Sequence, residues 1–215
     1  MCTDNKNVLI VGGSGKIGSS IASRMISKGY RVFIAARDEQ KLLEVQSMLG
    51  EKCHPLVLDV SKSDKDISAF FESFKNEYGN IDVLIYAAGS HGSMPFETCT
   101  TESFDASLSV DLRGCYFVCQ AYINSILNCR GQIIIISSVS SLNPAITSGQ
   151  IAKWGIRGFI AGLGAYCANK NINVFGIAPG HLSGKNNIEE RVLLAVENMC
   201  TSPTSYSVGE LTVID

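Results

Sequence analysis

Residues 7–20 read "NVLIVGGSGKIGSS". Five residues with an apolar, β-branched core, Asn7–Val11, read as a strand. A glycine-rich turn interrupts it, and a helical pattern follows to about Lys28. The turn contains Gly13-x-Gly15-x-x-Gly18 and, in overlapping register, Gly12-x-x-Gly15-x-x-Gly18. Glycine suits such a turn for two reasons: it adopts positive φ, and without a Cβ it lets backbone approach a pyrophosphate. The helix N-terminus then offers free N–H groups and the positive end of a dipole. The motif alone is weak, but strand–turn–helix is the context it requires. Gly12, Gly13, Ser14, Gly15, Lys16, Ile17 and Gly18 are therefore candidate cofactor contacts. The competing reading is a structural turn.

Outward from this unit the same alternation repeats. Strands are expected at 31–36, 54–60, 81–89, 131–137, 172–180 and 210–214, with helices at 38–49, 64–78, 104–128, 148–169 and 187–199. Strands continuous in Ile, Val and Leu, separated by helices, indicate a parallel sheet covered on both faces. The expected fold is α/β: one doubly wound Rossmann-type domain over residues 1–215, with a parallel sheet of about seven strands. No repeat or low-complexity linker divides the 215 residues.

Composition narrows the function. The net charge of −2 gives no electrostatic reason to expect nucleic acid or an anionic membrane as partner. No apolar run is long enough to span a bilayer, and "MCTDNKN" is not a signal peptide, so a cytoplasmic protein is expected. The eight cysteines form no C-x-x-C and have no histidine cluster near them in sequence. They read as small buried hydrophobes in a reducing compartment, and no metal site is expected.

The second strand should end near an adenosine ribose. It ends in "AARDE", where an NAD site usually places an acid. Arg37 there is suited to a 2′-phosphate, with Lys16 adding charge, so NADP(H) is favoured over NAD(H). Alternatively Arg37 is a solvated surface residue. Asp38 is placed to cap the next helix.

Further motifs resemble those of the short-chain dehydrogenase/reductase family, in order and over nearly the whole chain. "LDVS" (58–61) resembles the segment whose Asp contacts adenine, which implies Asp59 and its neighbour Val60. "YAAG" (86–89) stands where the family has N-A-G, implying cofactor contacts at Ala87, Ala88 and Gly89. "VDLRG" (110–114) resembles V-N-L-x-G, and "IISSVSS" (135–141) the strand end with the catalytic serine, here Ser138. "IAPG" (177–180) resembles the P-G turn beside the nicotinamide, implying Pro179 and Gly180. The glycine loop departs from the common G-x-x-x-G-x-G form. It is closer to the G-x-x-G-x-x-G of extended and divergent members.

The family's catalytic motif is Tyr-x-x-x-Lys, and "YCANK" (166–170) matches it by letter. Its position is wrong. The family lysine is followed by most of a helix and a strand before the P-G turn, about 25 residues. Lys153 lies 26 residues before Pro179, whereas Lys170 lies 9 before it. "KWGIRGF" (153–159) also resembles the family's K-A-A-L-x-G-F. The resemblance thus assigns the lysine to Lys153. The tyrosine position is then Gly149, and the earlier position used by enoyl reductases is Ile146. The family's asparagine is Asp111.

In the family the tyrosine exchanges a proton with the substrate oxygen, and the lysine lowers its pKa and bonds the nicotinamide ribose. The serine polarises the carbonyl, and the asparagine holds a water. Here Ser138 and Lys153 remain, and Asp111 and His181 lead as substitute acids, ahead of His91 and Tyr86. The resemblance also implies dimers or tetramers paired through helices 104–128 and 148–169, or a partner role beside a related subunit. The segment after the P-G turn is short, so a substrate pocket that is open or completed by another chain is expected. Three readings stand: an NADP(H)-dependent oxidoreductase of a small carbonyl or alcohol, with a substitute donor; an inactive NADP-binding pseudo-enzyme; and a non-redox lyase or isomerase.

Overall fold

Strand β1 (Asn7–Val11) is buried along its whole length, and its side chains divide by parity. Leu9 and Val11 enter one hydrophobic cluster, Val8 and Ile10 the other. Side chains alternate across a strand, so a strand covered on both faces reads as a continuous apolar run. The remaining strands are β2 (Arg31–Ala36), β3 (Cys53–Val57), β4 (Val83–Tyr86), β5 (Gly131–Ile136), β6 (Ile172–Pro179) and β7 (Leu211–Ile214). All neighbours pair in parallel, in the order β3-β2-β1-β4-β5-β6-β7. The structure is a computed structural model and describes residues 6–89, 94–126, 130–180 and 187–215.

Helices α1 (Lys16–Ser27), α2 (Glu39–Leu49) and α7 (Ile188–Thr201) cover one face of the sheet. On the other lie α3 (Asp64–Tyr78), α5 (Cys115–Ser125) and α6 (Ser148–Cys167), with α4 (Thr101–Leu108) packed on α6. Side-chain caps start several of them: Asp38 accepts from the Lys41 amide at α2, and Ser63, Thr100 and Thr147 form capping boxes at α3, α4 and α6. Such caps satisfy N–H groups that a helix start leaves unpaired.

Several boundaries differ from the sequence expectation. The third strand ends at Val57 and the fourth at Tyr86, three residues short in each case, because the chain peels off the sheet to line a cleft. The helix expected over 104–128 is two helices joined by a π-helical segment, Ser109–Gly114. Its physical signal was Gly114. A Cβ there would sit 3.0 Å from the Ser109 carbonyl oxygen, the Tyr86 hydroxyl and Val60 Cβ. The wide turn lets the Val110 carbonyl accept from Tyr86 Oη at 2.6 Å. The C-terminal end of that expected helix lies outside the described residues.

Candidate functional site

Seven parallel strands point their C-terminal ends the same way, and the order reverses between β1 and β4. Ligands of open parallel sheets bind at that reversal. The structure has a cleft of ≈ 630 Å³ there. Three parts of it are built differently.

The middle is the glycine turn, with Gly12, Ser14, Gly15 and Ile17 on its wall. Gly12 has φ +86°, and a Cβ on it would lie 2.4 Å from the Ala88 nitrogen. Gly18 packs under the turn, where a Cβ would meet the Gly12 oxygen at 2.3 Å. At Gly15, the N-cap of α1, a Cβ would meet only the Gly12 oxygen, at 3.3 Å, so its bulk would enter the cleft. Unlike the capped helices, α1 has no side-chain cap and no acidic residue in its first turn. Its free amides and dipole face a concave surface, and this arrangement fits a pyrophosphate.

At one end stand Arg37, Asp38, Lys41, Asp59 and Val60. Asp59 accepts from the Ser61 hydroxyl at 2.6 Å and the Ser61 amide at 2.9 Å. Burial pushes its carboxyl up, but the Ser61 bonds, with Lys62 and Arg37 nearby, hold it below its ordinary value. Lys41 was missed in the sequence. It lies in the first turn of α2, four residues beyond Arg37, and its ammonium is 3.5 Å from Asp38.

At the other end are Ala87, Ala88, Gly89, Asp111, Ser137 and Lys153. Asp111 is 2% exposed and comes from the π-helical segment. Its Oδ1 is 2.8 Å from Lys153 Nζ, in the second turn of α6, whose side chain is 19% exposed. A Cβ on Gly89 would lie 3.1 Å from Asp111 Oδ1 and 3.7 Å from Lys153 Nζ, so bare backbone flanks the pair. Ser137 Oγ is buried with no hydrogen-bond partner among the described residues.

Ser138 follows at the end of β5. Its hydroxyl accepts from the Ser140 amide at 3.2 Å, which leaves its own proton for another acceptor. Pro179 and Gly180 end β6 at the same end of the sheet, with the Gly180 amide bonded to the Ile214 carbonyl at 2.8 Å. Gly13 packs against Ile34. Lys16 is not among the cleft-lining residues; its ammonium lies 3.1 Å from Glu189 of α7. The charge expected from Lys16 beside Arg37 is thus directed elsewhere, and Lys41 stands nearer that end of the cleft.

Tyr86 is fully buried and donates to Val110. Its phenol is pushed well above its ordinary value by burial first, then by Cys115 and Asp111. Tyr166 is 61% exposed at the far end of α6, with the Lys170 ammonium 4.7 Å from its ring centroid. Thirteen residues of helix separate Tyr166 from Lys153, about 20 Å at the α-helical rise. Gly149 lies in the first turn of α6, one helical turn before Lys153. His91 and His181 lie outside the described residues.

Among the described residues no three His, Cys, Asp or Glu side chains converge to hold a metal ion. Six cysteines are described, all without a disulfide. Cys53 and Cys200 are pushed up by burial, to about 11 and about 12. Such thiols are inert packing groups. No helix among the described residues is long and apolar enough to cross a membrane.

Known proteins resemble this arrangement at full length. The chain is 30% identical over 241 aligned positions to a 3-oxoacyl-[acyl-carrier-protein] reductase FabG of Chlamydia trachomatis, covering 98% of this chain and 96% of that one. The FabG of Chlamydia muridarum is 29% identical with the same coverage. These alignments exceed the 215 residues present here, so the relatives carry residues that this chain lacks. Among solved structures, an actinorhodin polyketide ketoreductase with NADPH superimposes with a TM-score of 0.89 at 21% identity, over 98% of this chain and 95% of that one. The serine dehydrogenase of Escherichia coli gives 0.84 at 24%, over 97% and 96%. These two likenesses concern the fold. A sequence model described as short chain dehydrogenase matches residues 6–192, and the chain belongs to the short-chain dehydrogenase family of oxidoreductases.

Proposed function

We propose that this protein is an NADP(H)-dependent oxidoreductase acting on a carbonyl or alcohol substrate, with an atypical proton donor. The observation that carries the reading is the single cleft in which Arg37, the open start of α1 and Lys153 stand in sequence along the strand ends. The bound cofactor supplies or accepts a hydride at its nicotinamide.

The protein's own groups do the rest. Arg37 and Lys41 offer two cations that would hold a 2′-phosphate, and Asp59 and Val60 line the wall that would receive the adenine. The amides of the α1 start would hold the pyrophosphate. Ala87, Ala88 and Gly89 present bare backbone that would face the ribose and ring. Ser138 keeps a hydroxyl proton that would serve the substrate oxygen, and Lys153 lines the end of the cleft where the nicotinamide would react. The FabG relatives are named as 3-oxoacyl reductases, so 3-oxoacyl thioesters and simple 3-oxo esters are the first substrates to try. Exposed aromatic groups on α5 and α6 favour a homo-oligomer.

One observation favours a second reading, a cofactor-binding pseudo-enzyme. Gly149 has no phenol to offer, and Lys153 is held in an ion pair. A fluorescence titration with NADPH and NADH, followed by NADPH oxidation against a panel of carbonyls, separates the two. The expected result is micromolar NADPH binding, weaker NADH binding, and substrate-dependent oxidation. NADPH binding without oxidation by any carbonyl would select the pseudo-enzyme. Binding of neither dinucleotide would overturn both readings.

A further inference from the structure

Reduction of a carbonyl requires a proton at the substrate oxygen, and the structure narrows its source. At the Lys153 end of the cleft, Ala87, Ala88 and Gly89 have no side-chain proton to give. Ser137 Oγ is buried, and the buried Asp111 Oδ1 is turned to the Lys153 ammonium at 2.8 Å. The Tyr86 proton is directed to the Val110 carbonyl beneath the cleft wall. Ser138 can donate a hydrogen bond, but a serine hydroxyl is too weak an acid to release its proton unaided. Among the described residues bordering this end, Lys153 has the acidic proton, and a fifth of its side chain is exposed.

We propose that the Lys153 ammonium donates the proton directly to the substrate oxygen, and that Asp111 is the residue that positions it. The proposal rests on the reductase reading. The substrate carbon receives a hydride, with its electron pair, from bound NADPH, which is thereby oxidised to NADP⁺. The C=O π pair moves onto oxygen as the carbonyl is reduced. One N–H bond of Lys153 breaks, its electron pair stays on Nζ, and the proton forms the alcohol O–H. The neutral amine then takes a proton from solvent. An alkoxide is a far stronger base than an amine, so the transfer runs downhill.

Asp111 acts by position. At 2.8 Å its carboxylate holds the end of a flexible side chain at one point. The π-helical segment is what brings this carboxylate inward from the helix that carries it. An amide at the same position would offer the ammonium one neutral oxygen in place of a carboxylate, and so hold it less firmly.

The test uses the full chain and three variants, with ethyl acetoacetate as probe substrate. Lys153→Arg keeps a cation and its hydrogen bonds, but a guanidinium does not give up a proton. Its NADPH affinity, read by fluorescence titration, should stay within about threefold while single-turnover reduction falls about 10²-fold or more. Lys153→Ala should regain turnover when small alkylammonium ions are added, faster for the more acidic ammonium ions. Asp111→Asn should lower turnover about tenfold with NADPH affinity little changed.

Near-normal reduction by Lys153→Arg would overturn the proton assignment and leave the reductase reading intact. Rescue independent of amine acidity would do the same, since it would reduce the lysine to a fixed charge. Wild-type protein that binds NADPH but reduces no carbonyl would overturn both. The double variant Asp111→Leu/Lys153→Met removes both charges at once. Its melting temperature should match the wild type more closely than that of Lys153→Ala, which strands a buried carboxylate.

Discussion

Under the NADP(H) reading, Arg37 and Lys41 make one end of the cleft the selective one. Arg37 and Lys41 stand at one end with two acids beside them, Asp38, whose carboxylate caps α2, and Asp59, whose carboxylate accepts from Ser61. An NADP(H) site requires such cations. Arg37→Asp should therefore weaken NADPH about tenfold or more and NADH little, read by parallel titrations. Equal loss for both would remove the 2′-phosphate assignment. At the opposite end Gly149 lies one turn before Lys153, on the same helix face. Gly149→Tyr should place a phenol beside the ammonium and raise reductase turnover about tenfold or more. No gain in a folded, NADPH-binding variant would mean that a missing phenol is not what limits the rate. Tyr166→Phe should leave turnover unchanged, since that ring is exposed at the far end of α6. The sequence made the Gly149–Lys153 pairing readable because helix length and strand length are counted in residues. It did not make Lys41 or the Asp111–Lys153 contact readable, since both depend on where separate elements meet.

At the scale of elements, α1 and α7 are joined by a row of ionic contacts. Ser20 donates to Glu189 at 2.6 Å, Arg24 bonds Glu190 and Glu197, and Lys28 lies 2.6 Å from Glu197. The Lys28 hydrogen bond is the main cause holding Glu197 below its ordinary value, ahead of burial, which opposes it, and of Arg24. Ser20 and Lys16 act likewise on Glu189. A carboxylate lowered in the folded state stabilises above its unfolded pKa, and that contribution is lost as pH falls through the folded value. Glu197→Gln should cost about 1 kcal/mol at neutral pH. Melting curves between about pH 5 and pH 3 should show wild type converging on the variant. Parallel curves across that range would mean the row contributes nothing. The strands and most helix ends were legible because burial on both faces and capping residues leave local marks. The π-helical segment was not, apart from Gly114, because its cause is the packing of Tyr86 and Val60 against that glycine.

For the whole molecule, an exposed aromatic face lies on α5 and α6. Tyr116 and Trp154 are 46% and 42% exposed, and Tyr116 packs at a tilt against Phe159 with ring centroids 5.3 Å apart. Under the oligomer reading this face is covered by a second copy. Tyr116→Glu should then shift sedimentation toward the monomer, whereas a wild-type monomer at micromolar concentration would dismiss the reading. The doubly wound architecture followed from the alternation of apolar runs and helical periods, and the strand order matches the Rossmann expectation. Nothing in the residues alone told which faces would be left open, because exposure is decided only when the layers close.

The position of β7 has a consequence for how the chain fails. It pairs with β6 along Gly176–Pro179 and forms one margin of the sheet. Beneath it β6 is eight residues long, nearly all buried, with the sequence "INVFGIAP". A chain cut before Leu211 would expose that strand's unpaired amides and carbonyls, with the apolar groups beside them, to any neighbouring chain. Four residues at the margin thus cover the C-terminal half of the longest strand in the sheet.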